Sequence, residues 1–221
     1  MIDLYTWPTP DGQKVHIMLE ESGLPYAVHA VDPEDEAEAE AGVDRPPRSA
    51  AADRESSRST LLRLSPGGAL PVIVDGNGPD GKPMTLFESG AILVYLAGKT
   101  ERFLPRSTRG RYETLQWLMF EVGQLGPALG ASLAPTGEQA GRLYQILETQ
   151  LGHTGAWLVG RDYTIADMAC WSWARWHERH GVDLSGYPNV ARWHATIEAR
   201  PAVQRALTVL VDRRRQAQPV A

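Results

Sequence analysis

Cysteine is almost absent from this sequence; Cys170 is the only one. A lone thiol excludes an intramolecular disulfide framework and suits a reducing compartment. No apolar run approaches the roughly 20 residues of a membrane-spanning helix. The first ten residues, MIDLYTWPTP, lack the basic and apolar regions of a secretory signal. We therefore expect a cytoplasmic protein with no membrane partner. Basic residues are outnumbered too: 22 Lys and Arg against 27 Asp and Glu leave a formal net charge of −5, which argues against nucleic acid as a partner. Metal ligands are also wanting. His177 and His180 sit one residue too close for a zinc-protease box, with no third ligand suggested. They read as the solvated end of a helix, and no metal is expected. Gly76, Gly78 and Gly81 fit the spacing of a dinucleotide loop, but Lys82-Pro83 and an apolar strand follow where a helix would have to start. A hairpin turn is the better reading.

Apolar material is ample: 43% of 221 residues supports one large or two small domains with real cores. Ile2, Leu4 and Thr6 alternate as a strand. Thr9-Pro10 then reads as the N-cap and first position of a helix carrying Val15, Met18 and Leu19 on one face, with Gly23 closing it. Tyr26 to Val31 alternates again. Strand, helix, strand in this order makes the two strands parallel neighbours.

Residues 32–60 break the pattern. An acidic run from Asp32 to Glu40 leads into Arg, Pro, Ala and Ser, with Val43 the only large apolar side chain. Such a segment buries little surface, so an irregular and possibly disordered connection is expected. The chain then turns to its central stretch, Ala69 to Leu96. Val72-Ile73-Val74 and Met84 to Phe87 flank a glycine-rich turn, and Glu88-Ser89 opens an apolar helix. The hydroxyl and free N–H groups of that first turn form a ready seat for a carboxylate. The small sheet is therefore mixed.

Beyond Thr108 only helical periodicities remain. Tyr112, Leu115, Leu118, Met119, Val122 and Leu125 mark one helix, and Ala140, Leu143, Tyr144, Leu147 and Leu151 the next. Thr164-Ile165-Ala166-Asp167 is a capping box opening a Trp-rich helix that contains Cys170, read as a buried structural thiol. Pro188 and Pro201 start two more. We expect an α/β domain over residues 1–98, an all-helical domain over 105–211, and a frayed tail over 212–221.

MIDLYTWPTPDGQKVHIMLEESGLPY, LPVIVD, LFESGAILVYLAGKT, LQWLMFEVGQLGP, YTIAD and ARPAVQRAL together resemble the glutathione transferase superfamily. The resemblance is nearest to the bacterial Nu-class group of glutathione-dependent disulfide reductases. It implies a thioredoxin-like N-terminal domain, an all-helical C-terminal domain, a cytoplasmic homodimer and a cis bond before Pro71. Trp7-Pro8-Thr9-Pro10 stands where a thioredoxin would carry Cys-x-x-Cys, so the thiol would come from glutathione as co-substrate. By similarity, Thr9 would stabilise its thiolate, and Asp11 would lie beside it. Leu70, next to Pro71, would pair its backbone with the cysteinyl part. Glu88 would hold the γ-glutamyl amine, and Ser89 the γ-glutamyl carboxylate. The second substrate would be a small disulfide or electrophile. The alternative is a non-catalytic glutathione-transferase-like binding or regulatory protein.

Three departures bear on that alternative. The group usually has Asn where this chain has Asp11, and an ionised carboxylate repels a thiolate unless a cation neutralises it. Residues 32–60 do not resemble the helix that contacts the glycyl end of glutathione. Ala131 to Gly141 is shorter than the loop that usually reaches the partner's site.

Overall fold

The computed structural model describes residues 1–32, 54–130 and 137–217. The chain divides into two compact units, Met1–Ile92 with Arg205–Ala221, and Leu93–Gln204.

The first unit is built on a four-stranded sheet. Its strands are β1 (Ile2–Thr6), β2 (Tyr26–Ala30), β3 (Val72–Asp75) and β4 (Met84–Phe87), in the order β2-β1-β3-β4. β1 and β2 run parallel, with Leu4 opposite Val28, while β3 is antiparallel to both β1 and β4. The expected mixed sheet is thus present. Helix α1 (Pro10–Ser22) makes the crossover from β1 to β2, and Val15, Ile17, Met18 and Leu19 are fully buried on it. Gly23 ends the helix in the left-handed region at φ 71°, where its N–H meets the Leu19 carbonyl. Arg205 Nε and the Tyr26 hydroxyl both donate to the Glu20 carboxylate, at 2.8 and 2.7 Å.

The irregular connection expected over 32–60 fails from Arg54 onward. Residues 54–64 form helix α2 (Arg54–Leu64). Its reason for folding lies at its C-terminal end. Leu61 is buried against Val31 and Val72, and Leu64, one turn on, packs on the same cluster. Two leucines three apart suffice to dock a polar helix whose own composition is unpromising. The remainder of the 32–60 expectation, residues 33–53, lies outside the described residues, as does most of the short 131–141 loop.

Helix α3 (Ser89–Thr100) follows β4 directly. In the second unit, α4 (Thr108–Phe120) is capped by the Ser107 hydroxyl, which accepts from the Gly110 N–H. α4 runs through a π-helical turn at Glu121–Leu125 into α5 (Gly126–Gly130). The apolar face expected on this segment is only half right. Leu118 and Leu125 are buried, but Tyr112 and Met119 are 66% and 56% exposed, and Val122 is exposed as well. Thr114, Leu118, Glu121 and Leu125 form the inward stripe instead. The π turn holds an extra residue, so a steady 3.6-residue count loses phase across it. Gly126 and Gly130 lie under the Trp173 indole, where a Cβ would come within 3.1 and 2.6 Å of the ring.

Helix α6 (Gly137–Thr154) buries Ala140, Leu143, Tyr144, Leu147 and Leu151, the five residues its periodicity marks. α7 (Ile165–Ala174) has the expected capping box, and α8 (Pro188–Glu198) and α9 (Pro201–Ala217) begin at their prolines. Asp167 is the polar centre of this unit. Its carboxylate accepts from Leu158 N, Thr164 N, Thr164 Oγ1 and Trp193 Nε1, all within 3.1 Å. Complete burial pushes its carboxyl up from the usual range, and these four donors pull against that shift. Cys170 is buried, with Sγ 3.8 Å from the Trp117 carbonyl.

Candidate functional site

The sheet register brings the candidate residues to one edge. Tyr5 is opposite Val72, and Val72 is opposite Phe87. One step further along the ladder lie Thr6, Pro71 and Glu88. From this line the chain leaves β1 toward α1, enters β3, and leaves β4 for α3.

Thr9 stands between β1 and α1. Its backbone is extended (φ −94°, ψ 161°), and its carbonyl accepts the first helical bond from Gln13 N at 2.8 Å. Its side-chain oxygen accepts from the Gly12 N–H at 3.1 Å. With the oxygen fixed as an acceptor, the hydroxyl proton remains for donation to an anion at the positive end of α1. Gly12 is needed for this turn to close. A Cβ there would lie 2.2 Å from the Trp7 carbonyl oxygen and 2.5 Å from Thr6 Oγ1.

Leu70 is half-buried and packs against the Val31–Leu61–Val72 cluster, and the Leu70–Pro71 bond is cis. Glu88 is exposed and has φ 68°, the left-handed region that a side chain rarely adopts. Strain of this kind costs on the order of 1–3 kcal/mol and is concentrated at functional sites. The Glu88 carbonyl accepts from Ile92 N at 3.0 Å, so the bend places Glu88 at the cap of α3 with its carboxylate in solvent. Ser89, the first residue of α3, is 8% exposed.

Asp11 joins the two helix starts. The Ser89 hydroxyl donates to Asp11 Oδ1 at 3.3 Å, across 78 residues of sequence. The same oxygen lies 2.6 Å from Lys14 Nζ. The Lys14 side chain is 1% exposed, and that of Asp11 39%. The cation that an acidic residue at position 11 calls for is therefore present. Lys14, Gly12 and the left-handed Glu88 escape sequence reasoning. Only the i, i+3 spacing of Asp11 and Lys14 could have signalled the pair. Among the described residues, no group of three or more His, Cys, Asp or Glu is arranged to hold a metal ion.

The fold and this edge define a class of protein. Residues 10–99 match the family model for the glutathione S-transferase N-terminal domain, and residues 135–201 that for the C-terminal domain. The chain belongs to the glutathione transferase family, with a thioredoxin-like N-terminal domain followed by an all-helical one. Within that family it is 42% identical to the disulfide-bond oxidoreductase YfcG of Escherichia coli K12, over 94% of each chain. It is 33% identical to the disulfide-bond oxidoreductase YghU of the same organism, over 94% of this chain and 74% of that one. Among solved structures, a glutathione transferase family member from Pseudomonas fluorescens pf-5, with two glutathione bound, superposes at a TM-score of 0.76. It shares 38% identity over 93% of this chain and 92% of that one. A glutathione transferase from Pseudomonas putida, with one glutathione disulfide bound per subunit, superposes at 0.78, with 34% identity over 94% and 91%.

Proposed function

We propose that this protein is a glutathione-dependent disulfide-bond reductase, a glutathione transferase that uses the bound thiolate as its nucleophile. The observation that carries this reading is the Thr9 hydroxyl. Its oxygen is engaged by the Gly12 N–H, and its proton is left for an anion at the start of α1. The nearby buried Ser89 at the start of α3 fits a carboxylate. In this reading residues 1–98 are the glutathione-binding domain and 105–211 the helical domain. Thr9 donates to the glutathione sulfur. Leu70, before Pro71, offers its backbone to the cysteinyl unit as an added strand would. The exposed Glu88 carboxylate takes the γ-glutamyl ammonium, and Ser89 with the α3 N-terminus takes its carboxylate.

The chemistry is thiol–disulfide exchange. The glutathione thiolate attacks one sulfur of a substrate disulfide. A mixed disulfide forms and the other sulfur leaves as a thiolate. A second glutathione thiolate then attacks the mixed disulfide, which releases the reduced substrate and glutathione disulfide. Two glutathione molecules supply the two electrons. The protein contributes binding, orientation and charge, and no thiol of its own. We place it in the cytoplasm as a homodimer, in keeping with the family resemblance.

The acidic Asp11 favoured a non-catalytic binding protein when read alone. Its pairing with Lys14 removes that argument. Calorimetry with glutathione, followed by reduction of a small glutathione mixed disulfide, tests the reading. Binding together with glutathione-dependent turnover is expected. Binding without turnover would return the protein to the non-catalytic class.

A further inference from the structure

Lys14 is poorly placed for the helix that carries it. It lies near the N-terminus of α1, where the helix dipole disfavours a cation. It is also buried, and a buried ammonium persists only where an anion compensates it. Helix stability therefore does not explain the residue. Its contact does: Asp11 Oδ1 is shared between Lys14 Nζ at 2.6 Å and the Ser89 hydroxyl at 3.3 Å. Asp11 thus stands between the start of α1 and the start of α3. As an uncompensated carboxylate it would repel an anion at either.

We propose that Lys14 is a positioning residue of the glutathione site. It neutralises Asp11 and holds that carboxylate on Ser89, so that both helix starts keep the positive potential that receives the tripeptide. The inference rests on the glutathione reading above. Lys14 acts through Asp11, so its importance exists only while position 11 is acidic. Removing the charge of Lys14 alone leaves a partly buried carboxylate facing the ligand's two anionic groups. Removing both charges returns the site to neutrality.

The test is a double-mutant cycle on glutathione affinity by calorimetry, using Lys14→Met, Asp11→Asn and the double variant, with thermal midpoints recorded in parallel. Lys14→Met is expected to weaken binding about tenfold beside Asp11, and less than about twofold beside Asn. Lys14→Gln, neutral and able to hydrogen-bond, replaces Met in the cycle if the methionine variant does not fold. Equal losses in both backgrounds would overturn the proposal. So would a fall in thermal midpoint with affinity unchanged, which is the signature of a merely structural lysine. If the wild-type protein binds no glutathione, the functional reading fails and this proposal with it. Binding by the wild type with no coupling between positions 11 and 14 sinks the proposal alone.

Discussion

The Thr9 side-chain oxygen accepts the backbone N–H of Gly12 at 3.1 Å, so one hydroxyl both caps α1 and keeps a proton to give. Thr9→Ala removes both roles, while Thr9→Ser keeps them. For the alanine variant we expect the rate of glutathione-dependent disulfide reduction to fall about 10- to 100-fold, the range for a donor aimed at developing or bound negative charge. Glutathione binding should weaken much less, and serine should restore most of the rate. Steady-state kinetics beside calorimetry decides this, and equal losses in rate and affinity would take Thr9 out of catalysis.

Gly12→Ala forces a methyl group onto the Trp7 carbonyl oxygen, a backbone atom with little freedom to retreat. The first turn of α1 must then shift, carrying Thr9 with it. Overpacking of this kind costs about 1–3 kcal/mol. Chemical denaturation should show that loss, accompanied by a drop in disulfide reduction. Full activity in the variant would show that the close approach does not set the Thr9 geometry.

Asp167→Ala strips the acceptor from three N–H groups, those of Leu158, Thr164 and the Trp193 indole. Each orphaned buried donor costs about 1–3 kcal/mol. We expect a total loss of roughly 4 kcal/mol or more, enough to unfold many domains of this size. Urea denaturation followed by tryptophan fluorescence would measure it.

His194 gives the second unit an acid limit. Burial holds its imidazole below the ordinary value of 6.5, with His177 and Arg175 acting in the same direction and Glu198 opposing. The unfolded chain thus binds the proton more readily than the folded one. Stability is lost as pH falls through about 6.5 toward the depressed folded value, and is fully present above that window. Urea midpoints at pH 7.5 and 5.5 should differ less in His194→Gln than in the wild type. An identical difference in both would remove His194 as a cause.

Features with local chemistry were legible in the sequence. Thr9-Pro10, Gly23, Thr164 to Asp167, Pro188 and Pro201 each mark a helix boundary through a cap or a missing N–H, and the structure has them all. The strands showed through their alternation. Features that depend on distant partners did not show. Helix α2 folds on Leu61 and Leu64 meeting Val31 and Val72, a contact that its Arg- and Ser-rich composition conceals. Tyr112, Met119 and Val122 have the right residue types for a core and the wrong phase once the π turn intervenes. At the site, the individual residues were nameable, but the Ser89–Asp11 bond joins positions 78 apart. Periodicity carries no information about such a pair.

The buried, solitary Cys170 has a consequence for how such a catalyst behaves over time. With no accessible thiol, the polypeptide occupies the same oxidation state before, during and after each exchange. It stores no electrons and cannot be trapped half-way as a disulfide with its substrate. Its output should follow the supply of reduced glutathione from moment to moment, and an oxidative episode should leave the protein itself ready to resume when that supply returns.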